Sequence, residues 1–443
     1  MSLKGGLRMR RQCILVGLLV LVGCIVGSVT FGQEKIELNF ISWSYGVETV
    51  KDNIAKFEAR YPNIKVNYSD FSWFDYHDIA VQRFISNTPT DVMYGSDHWL
   101  QEWAAAGWIV PLEDYFPEVV EYKKEFAPYA VEGMTFNGKL YGLPYYADMV
   151  VFLYNKEMLK KAGFENPPQT LDELIEQSKV LKEKGICKYP LALCFAKNEG
   201  QSIEIFTSLV YSFKDGNMFD ADLNPLFGKD GGVYKALQFL YDALNTYQIL
   251  DPSSLTWGEI DLVKSFGAGN HAFTFVNKYN LAELNNPAVT NLAGQFAMAL
   301  FPGETHSCVG FVRFYCMTDM AVKRGKEVID AAGKFINYFG GKTDGVYIVA
   351  KRWALEKGLG FAQLPLYDDP EVINAINQWG NVEIEKQQAS LARAKQGMTP
   401  FYGTWDIFMR EQIHKALLKE VSIEDALSAS AKYWNDLKQK FQK

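Results

Sequence analysis

The sequence predicts an α/β protein of two lobes, each a mostly parallel sheet flanked by helices. Three observations carry this expectation. From residue 36, runs that alternate apolar and polar residues give way to runs with apolar residues at helical spacing, and the cycle repeats. That order calls for parallel neighbouring strands with helices on the sheet faces. A second series opens at residue 149, and no low-complexity linker or internal repeat divides the two, so short crossing strands are the expected hinges.

The elements follow in order. Ile36, Leu38 and Phe40 alternate as a strand; Val50, Ile54, Phe57 and Tyr61 mark a helix closed by Pro62-Asn63. Ile64, Val66 and Tyr68 form the next strand, Tyr76, Ile79, Ala80 and Phe84 the next helix, and Asp91 to Tyr94 a third strand. A helix from Asp97 to Ala106 ends near Gly107. Asn137-Gly138 is a two-residue hairpin signal, because both positions tolerate positive φ. Met149 to Tyr154 is a strand, Asn155 caps the helix that stops at Gly163, and Thr170-Leu171-Asp172-Glu173 is a capping box. Tyr189 to Phe195 and His271 to Val276 are further strands, with helices around Ile203 to Tyr211 and Gly232 to Thr246 between them. The last third is largely helical, closing with a stripe through Leu427, Trp434, Leu437 and Phe441 after the cap at Ser422.

A hydrophobic fraction of 48% and a charged fraction of 22% over 443 residues describe an ordered protein with ample core. Aromatic residues reach 14%, which suits either large cores or a cleft lined with rings. At the N-terminus, Lys4, Arg8, Arg10 and Arg11 precede an uncharged run from Cys13 to Val29, so residues 1–32 read as an export signal. Leu21-Val22-Gly23-Cys24 resembles a lipobox, in which Cys24 would be lipidated; cleavage after Gly32 is the alternative. Removing residues 1–32 takes away four basic residues and no acidic ones, moving the net charge from −7 to −11. This charge argues against nucleic acid or an anionic membrane surface as the main partner. Of the remaining cysteines, spacing permits bonds 187–194 and 308–316, and separate buried thiols are the other reading.

Catalytic signatures are absent: there is no P-loop, Gly-x-Ser-x-Gly, His-Glu-x-x-His or Gly-x-Gly-x-x-Gly. The five histidines never stand at metal-ligand spacing, and neither a metal nor any other cofactor is expected. A paired-carboxylate glycosidase is the enzymatic alternative, since the separation it needs is spatial.

Phe136 to Pro144, then Leu153-Tyr154-Asn155-Lys156, Gly163 and Pro167 to Leu174 together resemble the signature region of bacterial extracellular solute-binding proteins, and more narrowly the maltose-binding-protein-like cluster. Trp103 to Leu112 and Phe266 to Phe273 resemble further segments of that family, with Phe273 where methionine is usual. The resemblance implies a type II-like periplasmic-binding-protein fold and a non-catalytic, exported, monomeric receptor. It would close on a carbohydrate and deliver it to an ABC permease. A glycerol-phosphate-like solute, a ferric ion or a sensory partner are the variants it leaves open. Hinges are expected near Leu143-Pro144, Pro302 to Cys308 and Gly340 to Gly345. They divide the chain into a first lobe of residues 33–143 and 305–343 and a second of 144–304 and 344–443.

A sugar offers apolar C–H faces and a rim of hydroxyls, so rings, carboxylates and amides on loops past strand ends are the candidates. Trp43 and Tyr45 follow the first strand and Asp97 the third, where it equally suits a helix cap. Tyr145, Tyr146 and Asp148 lie at the first crossing. Asn277 and Tyr279 stand where the family often stacks a ring on the ligand. Trp73, Tyr402 and Trp405 belong to aromatic loop-like stretches that alternatively pack a lobe, and Arg313 offers a cation for an anionic group or for lobe packing.

Overall fold

The computed structural model describes residues 35–441, so the export segment and Cys24 lie outside the described residues. Ten strands form in chain order: β1 (Ile36–Trp43), β2 (Ile64–Phe71), β3 (Val92–Ser96), β4 (Thr135–Phe136), β5 (Lys139–Leu140), β6 (Gly142–Asn155), β7 (Leu191–Leu193), β8 (Phe273–Asn277), β9 (Phe296–Ala299) and β10 (Gly310–Met317). The fold is α/β and two-lobed. In the first lobe β1 pairs β2 and β3 in parallel, because helices Val47–Arg60 and Trp73–Ser86 carry the chain back over the sheet. In the second, β7 and β8 are parallel. The order is β2-β1-β3-β10-β6-β8-β7, with β9 also on β6. β6, which passes from one lobe to the other, and β10, which pairs with its first-lobe half, run antiparallel to their neighbours.

β6 is the spine. Its residues Gly142 to Met149 pair with β10, and Val150 to Asn155 pair with β8 and β9. The change of partner at Met149–Val150 comes later than the crossing expected at Leu143-Pro144. The chain returns to the first lobe between β9 and β10. Gly340 to Gly345 turns without crossing, because the following helix, Ile348–Lys357, packs on the first-lobe helix Lys326–Gly340 and its Arg352 donates to Asn53 at 2.7 Å. The lobe boundary expected at 343/344 is thus displaced. Helix Pro370–Trp379 brings the chain to the second lobe, where Asn285 Nδ2 donates to the Trp379 carbonyl at 2.7 Å.

Local signals act as their chemistry requires. Asn137 and Gly138 take φ of 48° and 79°, closing the β4–β5 hairpin. Asn155 Oδ1 accepts from Glu157 and Met158 N–H, and Thr170 Oγ1 from Glu173 N–H. Glu173 reaches back to Gln169 N–H at 2.7 Å, one residue before the cap. The four described cysteines are free and buried. Cys308 and Cys316 bracket an extended strand, a separation of roughly 26 Å at 3.3 Å per residue, far beyond disulfide reach.

Two expected site residues belong to the core instead. Tyr402 and Trp405 sit on helix Tyr402–Leu417, where both are buried and Trp405 packs on helix Ile423–Phe441. The Trp405 indole is fully buried against Phe219 and Trp434 and donates to the Ser430 carbonyl at 3.1 Å. Trp405→Ala is expected to cost about 3–5 kcal/mol in denaturant unfolding. A loss below about 1 kcal/mol would show that the indole is not structural.

Candidate functional site

A cavity of about 730 Å³ opens between the lobes. The first-lobe wall is aromatic. Trp43 ends β1 and is buried edge-on against Tyr94, Tyr145 and Trp73, whose ring centroids lie 4.6, 5.7 and 5.1 Å away. Trp73 opens the helix after β2, and Tyr45 follows β1; both are about two-fifths exposed, so each presents part of a ring to solvent. Phe74, beside Trp73 on the rim, is 92% exposed.

The floor comes from the crossing strands. The β6–β10 register slips between Arg313 and Phe314, so that Arg313 faces Tyr146, Phe314 faces Pro144, and Tyr145 is the extra residue. Alternation would send adjacent tyrosines to opposite faces; a bulge re-aims them. Both Tyr145 and Tyr146 line the cavity. Pro144 is compatible with the irregular ladder because it has no N–H to leave unpaired. Gly360 lies so close to β6 that a Cβ there would stand 2.2 Å from the Ala147 carbonyl oxygen.

Arg313 is buried, bonded to Asp97 and flanked by the Phe311 and Trp73 rings, with its guanidinium carbon 4.8 and 5.5 Å from their centroids. Lys395 Nζ lies 3.2 Å from Asp97 Oδ2 and 3.0 Å from Glu204 Oε1. His98 Nε2 is 3.1 Å from Glu204 Oε1 and 2.8 Å from Lys395 Nζ. Burial opposes ionisation of Asp97 and Glu204, but Lys395 and the neighbouring cations outweigh it and hold both carboxyls below their usual range. Burial and Lys395 push His98 down, so it is neutral near pH 7. Two anions and two cations therefore balance beneath the cleft.

The second lobe supplies polar groups from strand ends and helix starts. Asn277 ends β8 and Tyr279 follows it; Glu199 precedes and Gln201 opens the helix after β7; Gly258 and Glu259 open helix Glu259–Gly267. The Tyr279 hydroxyl donates to Glu259 Oε2, and Asn280 Nδ2 to Glu259 Oε1 at 2.7 Å.

Of the expected site residues, Trp43, Tyr45, Trp73, Tyr145, Tyr146, Asn277, Tyr279 and Arg313 are brought together around this cavity. Asp97 lies beneath it, engaged by Arg313 and Lys395, and the cap of its helix is Ser96, whose Oγ accepts from His98 N–H at 3.2 Å. Asp148 also lies behind the wall, buried, accepting from Met149 N–H at 2.8 Å and Tyr279 N–H at 3.2 Å. Tyr402 and Trp405 are elsewhere, in the core described above. Sequence reasoning missed His98, Glu199, Gln201, Glu204, Glu259 and Lys395. The first five satisfy the same rule, a polar residue on the loop or helix start past a strand or at the next helix; Lys395 has no local signal.

The profile of the bacterial extracellular solute-binding protein family matches residues 43–346. The chain belongs to that family. This solute-binding protein is 28% identical over 249 residues to a Brucella abortus chain named only as a binding protein, an alignment covering 55% of each. It is also 28% identical over 151 residues, 33% of each chain, to the mannitol-binding protein of Pseudomonas aeruginosa. The chain spans about half the length of the curated relatives it matches first. Its fold is that of the sugar-binding protein MalE of Xanthomonas citri (TM-score 0.77, 20% identity, 92% of this chain and 98% of that one). It is likewise that of maltose-bound MalE3 of T. maritima (TM-score 0.75, 22% identity, 91% and 100%).

Behind the cleft the Asp148 carboxyl links stability to pH. Burial above all, opposed by Lys278, raises its pKa to about 7. A carboxyl raised in the folded state stabilises most below its unfolded pKa, and that contribution is lost as pH climbs through the folded value. Between pH 4 and 8 this group alone is expected to lower stability by about 3–4 kcal/mol, and Asp148→Asn to flatten the pH dependence by that amount. Denaturant unfolding at pH 4 and pH 8 checks it; parallel slopes for both proteins would refute the assignment.

Proposed function

We propose that this solute-binding protein captures a carbohydrate or polyol in the interlobe cleft and delivers it to the membrane permease of an ABC importer. One observation carries the reading: rings on the first lobe face directional oxygen and nitrogen groups on the second, which matches the C–H faces and hydroxyl rim of a sugar. Support also comes from proteins of the same fold described with maltose, α-D-tagatose and D-mannitol bound. The glycerol-phosphate-like alternative has less behind it, because Asp97 already engages Arg313, the cation that lines the cleft.

The protein acts as a monomer without catalysis. Closure bends the chain where β6 passes between lobes and where the chain returns between β9 and β10, driven by a solute that touches both lobes at once. The lobes are residues up to Met149 with the segment from β10 to helix Ile348–Lys357, and the remainder. Residues 1–32 direct export, with Cys24 as a lipid anchor or Gly32 as the cleavage point. The permease side of the reading accords with a relative from Pyrococcus horikoshii named as an ABC transporter extracellular-binding protein, 29% identical over 196 residues.

A thermal-shift panel of mono- and oligosaccharides and polyols tests the solute class. A ligand at 100 times its Kd is expected to add about 2.7 kcal/mol of stability. Trp73→Ala is expected to weaken the best ligand about tenfold in calorimetric titration, through loss of its ring face. No shift with any sugar or polyol would overturn the carbohydrate reading.

A further inference from the structure

A second cavity adjoins the cleft. It too measures about 730 Å³, and it lies on the second lobe between helix Glu259–Gly267, helix Asn280–Leu284 and the loop of residues 289–292. Glu259 and Tyr279 line both cavities, so this hydrogen-bonded pair forms the sill between them. The rim of the groove also comes close to the first lobe. Burial first, and then the charge of the rim residue Glu283, raise the Tyr45 pKa, so that carboxylate stands near the first-lobe ring. Helix Asn280–Leu284 itself abuts the first lobe. A Cβ on Gly358, which ends helix Ile348–Lys357, would lie 3.0 Å from that of Ala282.

The loop that walls this groove is held in place from several sides. Thr290 Oγ1 donates to the Gly267 carbonyl at 2.9 Å, Asn285 Oδ1 accepts from Gly294 N–H at 2.8 Å, and Asn285 Nδ2 donates to the Phe296 carbonyl at 2.9 Å. Leu292 packs so closely on Gly269 that a Cβ there would stand 2.7 Å from its Cδ1. A pre-formed wall of this kind needs little ordering when a solute enters. Its lining offers the two chemistries that a sugar requires. Ile260 and Val289, 84% and 58% exposed, stand ready to be covered by C–H faces. Lys264, Asn291 and Glu283 place donors and acceptors around them for hydroxyls.

We propose that the solute is an oligosaccharide longer than a disaccharide, with one end between the lobes and the other carried over the Glu259–Tyr279 sill into the second-lobe groove. The proposal rests on the carbohydrate reading above and sets the length of the sugar. Each cavity alone has the size that encloses a drug-sized solute, so a single ring or a polyol held between the lobes leaves the second one unused. A chain of rings fits two cavities joined at a narrow sill, because the linkage between rings is slimmer than the rings on either side. The distal units then add contacts to the second lobe alone, and the end between the lobes remains the part that draws them together.

Calorimetric titration of the purified protein with gluco-, galacto-, xylo- and manno-oligosaccharides, from the single sugar to chains of about six units, tests it. In at least one series the Kd is expected to fall about tenfold or more between the disaccharide and the longest chain. Ile260→Ser and Val289→Ser change exposed side chains, and thermal melting checks that each variant folds. Each is expected to take back about three- to tenfold of the gain with length, and to leave disaccharide binding within about twofold of the unaltered protein. No gain beyond the disaccharide in any series, with a single sugar, a disaccharide or a polyol binding, would overturn the inference and leave the carbohydrate reading standing. A gain with length that neither substitution reduces would overturn the placement in this groove. Failure of every sugar and polyol to bind, here and in the thermal-shift panel, would overturn the carbohydrate reading itself and the length inference with it.

Discussion

The four charges beneath the cleft are the constraint around which the molecule is arranged. Asp97 follows β3, Arg313 lies on β10, Glu204 belongs to the helix after β7, and Lys395 stands near the C-terminal helices. Each is buried, and withdrawing an ion from water costs several kcal/mol unless a partner and hydrogen bonds compensate. Each lobe supplies one anion and one cation, Asp97 with Arg313 in the first and Glu204 with Lys395 in the second, and the contact of Lys395 with Asp97 joins the two pairs into one network across the lobes. The cleft floor is thereby made polar yet neutral, and its side chains are held by one another and not by solvent.

The pairing of β6 with β10 turns that floor into a site. A regular antiparallel ladder would leave one tyrosine of Tyr145-Tyr146 on the cleft side and bury the other. The slip beside Pro144 brings both to the cavity wall, Tyr145 buried there and Tyr146 partly exposed, and sets Arg313 opposite Tyr146, between two aromatic rings. The irregular stretch lies a few residues before Met149–Val150, where β6 passes to its second-lobe partners. Close contact at Gly360, where no Cβ fits, keeps the neighbouring loop pressed on the crossing strand.

Much of this was legible in the sequence, and the failures have physical reasons. Period-two and period-3.6 patterns located most strands and helices of both lobes, because one face of each is buried, but they missed β9 and also β10, whose residues are buried on both faces and so show no alternation. Asn137-Gly138 and Asn155 declared their turn and cap through backbone chemistry that acts over a few residues. Trp43 and Tyr279 were found because the end of a parallel strand is visible in sequence. Trp405 was misplaced because an aromatic cluster reads alike whether its rings face a cleft or, as here, Trp434 across a helix pair. Glu199 and Glu259 went unnoticed because nothing local tells a solvated carboxylate from one that meets another sixty residues away through Gln201. The third lobe boundary was drawn at a glycine-rich turn, but the packing of helix Ile348–Lys357 on the first lobe decides it, and packing is not local.

The distribution of groups across the cleft bears on how closure would be controlled. A ligand shifts an equilibrium between open and closed forms only by its difference in affinity for the two. The first lobe offers mainly ring faces, whose attraction is short-ranged and weakly directional, while the second offers acceptors that demand correctly placed donors. A small apolar molecule could rest on Trp73 and Tyr45 without engaging Gln201 or Glu259, and a small polar one could do the reverse. Neither would draw the lobes together. Only a solute that carries a flat C–H face on one side and donors on the other has contacts to gain from closing. The separation of ring chemistry from acceptor chemistry between lobes is therefore itself a filter, and it acts before any fine fit of stereochemistry is tested.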